Sequence, residues 1–227
     1  MKTIVISLGG SLIIPNSIDF KFLEGFKKII RKNYNKYKFV IVCGGGSIAR
    51  KYIEALKEEH KNEKELALAG IRATKMNALF MMQFFGKEAN NTAPRDMEEV
   101  KSLLKKNKVV FCGALRYAPN ETSDGTATKL ANFLKTDFIN ITNVDGLYTS
   151  DPRKDKNAKF IPYESWNEFL KRANSIKFHP GQHFVLDQEA AKLIKKHKIK
   201  TYIIGKKLNN FDSVLKNKKF TGTYIGK

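Results

Sequence analysis

The 227-residue sequence has no apolar run close to the ~20 residues that a membrane-spanning helix needs. Its first 14 residues, MKTIVISLGGSLII, contain Gly9 and Gly10 and lack the small-residue cleavage site of a secretory signal peptide. Cysteine is scarce: Cys43 and Cys112 are too few for a disulfide framework and fit small buried thiols in a reducing compartment. These absences predict a soluble, cytoplasmic, globular protein with no membrane partner.

Acidic residues are few relative to basic ones, since 22 Asp and Glu oppose 42 Lys and Arg for a formal net charge of +20 at pH 7. Such an excess attracts phosphates without regard to sequence. The lysines, however, are spread over nearly every predicted helix, and the chain has neither an RNA-binding aromatic motif nor zinc-ligand spacing. We interpret the charge as a solvated, lysine-rich surface and predict no nucleic-acid partner.

Short strands and amphipathic helices alternate along the chain, without internal repeats or low-complexity linkers. Runs rich in β-branched and aromatic residues predict strands at 2–8, 38–43, 108–112, 137–142, 200–204 and 220–225. Helical periodicity and capping residues predict helices over 19–33, 47–60, 63–85, 95–106, 124–135, 164–172, 187–197 and 210–216. The alternation predicts one α/β domain, residues 1–227, with a mostly parallel sheet covered by helices on both faces.

Glycines follow the first two predicted strands, at the strand ends where sheets of this kind bind ligands. Gly9, Gly10 and Ser11 follow the first strand, and residues 44–47, GGGS, follow the second. Glycine lets backbone N–H groups approach an anion, and a following helix adds the positive end of its dipole. A Gly-Gly pair alone is more often a tight turn, so the second loop is the stronger signal. Together the two loops predict two phosphate groups facing each other.

Two common nucleotide motifs are excluded. The second loop matches the dinucleotide pattern G-x-G-x-x-A, but that pattern expects an acidic residue at the end of a strand about 20 residues later. The region near residue 64 is predicted to be helical, and the next strand begins at 108. The P-loop pattern G-x-x-x-x-G-K-[ST] does not occur.

Eight motifs in a fixed order resemble the amino acid kinase superfamily and, within it, the archaeal type of uridylate (UMP) kinase. They are SLGGS (7–11), GGGSIARKYIE (44–54), GIRATKMNAL (70–79), TSDGTA (122–127), TNVDGLYTSDP (142–152), LDQEAAKLI (186–194), KTYIIGK (200–206) and GTYI (222–225). Any one of them is common, but their order along the whole chain is specific. The resemblance implies a three-layer αβα sandwich, transfer of the ATP γ-phosphate to UMP in pyrimidine biosynthesis, Mg²⁺ with the ATP, and a homohexamer built from dimers.

The resemblance also implies site residues, with the acceptor held by the N-terminal part and the ATP nucleoside by the part from about residue 136. The implied ATP-binding residues are Ser7, Leu8, Gly9, Gly10, Ser11, Gly46, Arg50, Thr142, Asn143, Tyr148 and Asp151. The implied UMP-binding residues are Gly45, Ala114, Leu115, Arg116, Thr122 and Ser123, in a loop from Ala114 to Ser123 that would cover UMP. Asp124 and Arg50 would be catalytic, and no dedicated metal-ligand set is predicted.

Arg50 and Asp124 each have a structural alternative. Arg50 would bring a planar, charged donor fork to phosphate oxygens, or it is a surface residue on the first helical turn. We favour the functional interpretation because a cation near the positive end of a helix is otherwise mildly unfavourable. Asp124 would help to organise the reacting centre and its Mg²⁺, or it caps the following helix, a role equally open to Thr122 and Ser123. Phosphoryl transfer itself needs positioning and positive charge rather than covalent help.

Three residues depart from the superfamily pattern. Ser7 stands where many members have a lysine, and Asn143 where some have another, although archaeal uridylate kinases usually carry Asn there. Ala67 stands where an aspartate holds the acceptor ribose. Glu63 or Glu65, in the preceding turn, would be a substitute carboxylate. Two other functions therefore stay open. One is a kinase of this fold with another phosphate or a carboxylate as acceptor, which Ala67 supports, and the other is a non-catalytic nucleotide-binding regulator, which the missing lysines support.

Three further features are interpreted as structural. Apolar side chains recur at helical spacing in MNALFMMQFF (76–85), which predicts a core or subunit-contact helix. His179 and His183 have metal-like i,i+4 spacing, but a proline and a glycine between them argue against the helix that this spacing requires. Trp166 is predicted to be a packing anchor.

Overall fold

The computed structural model describes residues 1–117, 122–152, 155–175 and 186–227. One sheet contains seven strands, namely β1 (Lys2–Leu8), β2 (Tyr37–Cys43), β3 (Val109–Cys112), β4 (Phe138–Ile141), β7 (Tyr163–Ser165), β8 (Thr201–Ile204) and β9 (Thr223–Gly226). Their order across the sheet is β3-β2-β1-β4-β8-β9-β7. A separate antiparallel ribbon is formed by β5 (Leu147–Tyr148) and β6 (Phe160–Ile161).

The helices are α1 (Gly10–Ile13), α2 (Phe20–Lys32), α3 (Gly46–Glu58), α4 (Glu63–Phe85), α5 (Met97–Lys106), α6 (Ser123–Phe133), α7 (Trp166–Asn174), α8 (Gln188–His197) and α9 (Leu208–Leu215), with one 3₁₀ turn at Gly86–Glu88. Side-chain caps begin six of them where the sequence carries a suitable residue, namely Asp19, Asn62, Asp96, Thr122, Ser165 and Asp187. In the described part of the chain, no helix is long and apolar enough to span a membrane.

The strands β3, β2, β1, β4 and β8 run parallel, so their carboxyl ends share one edge of the sheet. The chain proceeds outward from β1 to β2 and β3, and then returns to place β4 on the other side of β1. This reversal makes the carboxyl edge between β1 and β4 the point where open α/β sheets bind ligands. β9 is antiparallel to β8 and parallel to β7.

Alternate residues of the central strand face two separate cores. Ile4, Ile6 and Leu8 pack with α2, α4 and α9, whereas Val5 packs with α5, α6, α7 and α8 on the opposite face. The three-layer αβα sandwich predicted from the sequence is therefore confirmed. Cys43 and Cys112 are buried and unpaired, and burial raises the pKa of the Cys43 thiol well above its ordinary value and that of Cys112 to about 12.

The structure corrects several local predictions. The β5–β6 ribbon, β7 and the single-turn helix α1 were not predicted, because two to four residues carry too little periodicity to be recognised. Helix α4 packs on the core, but the apolar stripe of Met76, Leu79, Phe80 and Gln83 on which its prediction rested is largely exposed: Met76 is 63% and Leu79 42% exposed, and Phe80 is partly buried. The buried face instead carries small residues such as Ala73 and Ala78 together with Met81, Met82 and Phe85.

Trp166 is a packing anchor as predicted: it packs partly buried against the second core and its indole N–H donates to the Ile199 carbonyl at 3.0 Å. His179 and His183 lie outside the described residues.

Candidate active site

Most of the predicted site residues lie at the carboxyl edge of the parallel strands. Ser7 and Leu8 end β1, and Ser7 is in register with Val42 of β2 and Asn140 of β4. Thr142 directly follows β4, and its N–H donates to the Ile204 carbonyl at the end of β8 (2.9 Å). The loops that follow three neighbouring strands therefore meet around the end of β1.

The glycine loops after β1 and β2 pack backbone against backbone. A Cβ added to Gly10 would lie 2.1 Å from the Gly46 nitrogen and 2.6 Å from the Gly44 carbonyl oxygen. Gly46 has a φ of +66°, and a Cβ there would lie 2.5 Å from the Gly10 carbonyl oxygen. No side chain fits at these positions unless the facing loop moves. The two loops, predicted as separate phosphate cradles, are thus one assembly.

The amides of this assembly divide into two groups. The Gly9 N–H donates to the Ile141 carbonyl and the Gly44 N–H to the Leu8 carbonyl, both at 2.9 Å, so these amides join strands. Helices α1 and α3 begin at Gly10 and Gly46, and the first amides of a helix have no partner within it. Anions bind readily at such helix starts, where the helix dipole adds to the amides. Ser11, the second residue of α1, is half-buried.

Asp124 lies on the first turn of α6, against the end of β1. The Ser7 hydroxyl donates to Asp124 Oδ1 at 2.6 Å, and Ser7 itself is 1% exposed. Thr122 is the N-cap of α6, because its Oγ1 accepts from the Asp124 N–H at 3.1 Å. Of the three capping candidates in the sequence, the structure thus selects Thr122. The Asp124 carboxylate is not required as the cap, and Ser123 is the first residue of the helix.

The Asp124 carboxyl has an unusual protonation equilibrium. Burial raises its pKa from 3.8 to about 7, the hydrogen bond from Ser7 opposes this rise, and the negative charge of Asp187 adds to it. The residue is nevertheless partly exposed, so a bound ligand can reach it. A buried carboxyl with such a shift, next to a like charge and a ligand-binding edge, is typical of functional sites.

Asp187 is a functional candidate that the sequence analysis missed. It caps α8, where its Oδ1 accepts from the Ala190 N–H at 2.6 Å. Its Oδ2 accepts from the Thr122 N–H at 3.3 Å and from the Thr122 hydroxyl. An aspartate ahead of a helical pattern signals an N-cap, but its bond to a residue 65 positions away is tertiary and has no sequence signal. Asp187 therefore ties the start of α6 to the start of α8.

The two predicted arginines are both exposed. Arg50 lies on α3, directly after the glycine assembly, and Arg116 follows β3. Neither guanidinium has a hydrogen bond or ion pair with another residue in the described part of the chain. Both are therefore available to an anionic ligand, which fits the predicted role of Arg50 without excluding a surface residue.

Of the predicted UMP-binding residues, Gly45 and Ala114 lie next to helix α4, whereas Thr122 and Ser123 lie at the start of α6. A Cβ on Gly45 would lie 3.5 Å from the Gly70 carbonyl oxygen and 3.6 Å from the Ala73 Cβ. The N–H of Ala114, which is buried, donates to Thr74 Oγ1 at 2.9 Å. Leu115 is half-buried. Residues 118–121 of the predicted covering loop lie outside the described residues.

The alternative ribose ligands lie on the first turn of α4. Glu65 completes a capping box: its Oε2 accepts from the Asn62 N–H, and Asn62 Oδ1 accepts from the Glu65 N–H, both at 3.1 Å. Its carboxylate is therefore committed to the helix start. Glu63 is exposed at the start of the helix, and Ala67 is partly buried one turn further on.

The residues predicted around the ATP base follow β4. Asn143 is exposed. Tyr148 belongs to the β5–β6 ribbon, and its ring packs edge-to-face on Phe160, with centroids 5.3 Å apart, rather than on the glycine assembly. The Asp151 carbonyl accepts from the Asp155 N–H at 2.9 Å. Contacts therefore join Ser7, the glycine assembly and Asp124, while the ribbon residues form a separate group.

Comparisons with known proteins agree with this architecture. Residues 2–205 match the family model described as the amino acid kinase family. The chain is 35% identical over 205 residues to the uridylate kinase of Thermococcus kodakarensis, covering 90% of each chain. It is 36% identical over 226 residues to that of Thermoplasma volcanium, covering 99% of this chain and 97% of the other.

Solved structures show the same relationship. The crystal structure of uridylate kinase from Archaeoglobus fulgidus matches with a TM-score of 0.85 and 35% identity, covering 100% of both chains. The UMP kinase from Bacillus anthracis matches with a TM-score of 0.82, covering 99% of this chain and 96% of the other, and at 21% identity this likeness concerns the fold alone.

Proposed function

The chain belongs to the amino acid kinase family, and from this premise we propose that it is a uridylate kinase, which transfers the γ-phosphoryl group of ATP to UMP and releases UDP and ADP. Uridylate kinases of archaea are similar to it over most of its length. The observation that carries the proposal is the glycine assembly with Asp124 beside it. Two loops in backbone contact, each opening a helix, suit two phosphate groups that must approach each other.

Each group of site residues would have its own role in the reaction. Amides at the starts of α1 and α3 would hold the ATP phosphates, and Gly45 would meet the UMP phosphate. The Arg50 guanidinium would stabilise negative charge on the migrating group. The ribbon with Tyr148 and Asp151, together with Thr142 and Asn143, would hold the ATP nucleoside. Preorganised donors of this kind supply most of the catalysis in phosphoryl transfer.

The residues present fit a Mg²⁺ ion that is held mainly by nucleotide phosphates and water. Among the described residues, no three His, Cys, Asp or Glu side chains form a metal-ligand cluster. Mg²⁺ in kinase sites commonly binds one or two carboxylates in addition to substrate phosphates. Asp124 is the carboxylate placed to serve it, and the ion would neutralise phosphate charge when bound.

A kinase with a different acceptor is the second candidate, and Ala67 favours it. An alanine offers no hydrogen bond to a ribose, and Glu65 is committed to the capping box. The test is ADP release from ATP and Mg²⁺ with UMP, 2′-deoxyUMP, CMP and small carboxylates in parallel. Preference for UMP supports the proposed function, turnover of another acceptor only would replace it, and ATP binding without any turnover would indicate a nucleotide-binding regulator.

A homohexamer and a cytoplasmic location are parts of the same proposal. The exposed Met76 and Leu79 on α4 would supply apolar surface to the subunit contact. The two unpaired buried cysteines suit a reducing compartment. Light scattering at micromolar protein concentration tests the assembly, and a monomer there would contradict it.

A further inference from the structure

Helix α4 carries two polar side chains on its buried face. Thr74 is 6% and Asn77 1% exposed, and the other buried residues of α4, which the structure describes in full, are apolar. Residues three positions apart on a helix lie side by side on one face. Because a buried polar group costs stability unless it is hydrogen-bonded, the partners of Thr74 and Asn77 indicate what these residues do.

The Thr74 hydroxyl joins α4 to the loop that follows β3. It donates to the Ile71 carbonyl of its own helix at 2.7 Å and accepts from the Ala114 N–H at 2.9 Å. The loop and the helix are in close contact here, since a Cβ on Gly113 would lie 2.6 Å from Thr74 Oγ1. The first part of the loop that is predicted to cover UMP is therefore fixed to α4.

The Asn77 amide joins the same face of α4 to the glycine loop that follows β2. Its Nδ2 donates to the Gly44 carbonyl at 2.7 Å, in a buried position. Gly44 belongs to the glycine assembly, and its neighbour Gly45 is the residue predicted to meet the UMP phosphate. A Cβ on Gly45 would lie 3.6 Å from the Ala73 Cβ, so this loop also rests directly on the helix.

Both loops that would hold UMP are thus attached to neighbouring positions of one helix. The loop after β2 would bind the phosphate, and the loop after β3 would bind the rest of the nucleotide. The separation of the two loops then depends on α4, a continuous helix of 23 residues, rather than on the loops alone. Holding the binding groups in place before the substrate arrives lowers the entropic cost of orienting it.

We propose that Thr74 and Asn77 are positioning residues, through which α4 sets the separation of the two loops that bind the acceptor and so favours a nucleoside monophosphate. This inference rests on the proposed function, because it assigns both residues a part in acceptor binding. It also gives a reason for the polar residues of the GIRATKMNAL motif (70–79), which the glycine loops do not explain.

Loss of one of these hydrogen bonds should weaken acceptor binding in particular. In Thr74→Val, which nearly keeps the shape of the side chain, the Ala114 N–H has no partner in its native position, and Ala114 is only 5% exposed. The free loop can move to bond water, but UMP must bring it back. At saturating ATP and Mg²⁺ we expect KM for UMP to rise about ten-fold, while KM for ATP at saturating UMP changes less than about two-fold.

Three other variants complete the comparison. Thr74→Ser keeps the hydroxyl and should return KM for UMP to near the natural value. Asn77→Leu should raise KM for both nucleotides, because Gly44 belongs to the assembly that would hold both sets of phosphates. The matched control is Thr201→Val: the Thr201 hydroxyl is fully buried and donates to the Ile199 carbonyl at 3.2 Å, at the amino end of β8. This control should lower the melting temperature and leave both KM values unchanged.

Hydrogen exchange of the Ala114 amide gives a readout independent of turnover. Exchange should be faster in Thr74→Val than in the natural protein and in Thr74→Ser, and equal exchange in all three would contradict the proposed contact. If Thr74→Val does not fold, Thr74→Ala removes the same hydroxyl without a new methyl group and takes its place in each measurement.

Two kinetic results would overturn the inference. One is a lowered melting temperature in Thr74→Val with KM for UMP unchanged, which would make Thr74 a residue of the core only. The other is an equal rise of KM for UMP in Thr201→Val, which would show a general loosening of the fold. A natural protein that does not phosphorylate UMP would refute the proposed function together with this acceptor role, whereas an active protein with either of these kinetic results would refute this inference alone.

Discussion

Replacing Asp124 with asparagine removes a charge while nearly keeping the shape, and we expect the variant to transfer phosphoryl groups far more slowly yet to be more stable than the natural protein at pH 8. Asparagine can accept the Ser7 hydrogen bond through its Oδ1. Thr122 supplies the cap of α6, so the helix keeps its N-terminal hydrogen bond. The substitution therefore isolates the effect of the negative charge.

The gain in stability follows from the pKa of the Asp124 carboxyl, which burial raises from 3.8 to about 7. The folded protein thus holds this proton more tightly than the unfolded chain, and the ionised carboxyl destabilises the fold above pH 7. At about 1.4 kcal/mol for each pKa unit, the difference between the folded and unfolded pKa corresponds to at most about 4 kcal/mol of unfolding free energy. The gain in stability of the variant should shrink as the pH falls from 7 toward 3.8 and vanish below that value.

Urea unfolding of both proteins between pH 4 and pH 8 measures this difference. The control is Asp155→Asn: hydrogen bonds from Ser150 and the Asn157 N–H lower the pKa of Asp155, so its loss should destabilise the protein at pH 8. Single-turnover phosphoryl transfer should fall at least about 100-fold in Asp124→Asn, or ~2.7 kcal/mol. Near-normal transfer would remove Asp124 from the catalytic residues, and an Asn variant less stable at pH 8 would refute the argument from the buried charge.

Four further substitutions test other parts of the molecule. Arg50→Ala should lower kcat/KM by about ten-fold to a thousand-fold with an unchanged melting temperature, whereas unaltered kinetics would make Arg50 a surface residue. Gly10→Ala should destabilise the protein by about 3 kcal/mol or more, because its Cβ would overlap the facing loop. Gly70→Ala should stabilise α4 by about 0.5–1 kcal/mol, since its Cβ would meet only Ile53 Cδ1 at 3.5 Å; equal melting shifts in the two variants would contradict the close contact of the loops. Ala67→Asp should increase the preference for UMP over 2′-deoxyUMP in kcat/KM, and no change in that ratio would place the ribose elsewhere.

The central sheet could be predicted because its strands are buried on both faces. Continuous apolar runs such as IVI in β1 and FVIVC in β2 lack the alternation of polar and apolar residues that an exposed strand would show. Helix α4 was predicted with its observed bounds, since Asn62 and Glu65 form a capping box. The orientation of α4 was not predictable from hydrophobicity alone. Its buried face combines Ala73 and Ala78 with Met81 and Phe85, whereas the equally apolar Met76 and Leu79 remain exposed.

The position of the site could be predicted from the sequence, but the contacts between its residues could not. Glycines after two strands indicate where the backbone must come close to something, but not that the nearest neighbour of one loop is the other. The sequence also left three capping candidates around Asp124, which local propensity cannot separate. The hydrogen bond from the Asp124 N–H to Thr122 Oγ1 shows which of them is the cap, and Asp187 of α8 holds Thr122 from the other side.

The contact between Gly10 and the loop of Gly44 and Gly46 also limits how chains of this kind can diverge. A side chain gained in one loop has no room unless the other loop moves away, so a single substitution at one of these glycines gives a destabilised protein. Selection should therefore retain a substitution in one loop only when the other loop has changed as well. Over many generations these glycines should persist as a set while the exposed lysines around them are exchanged freely. A descendant that has lost one of these glycines is expected to have rebuilt both loops.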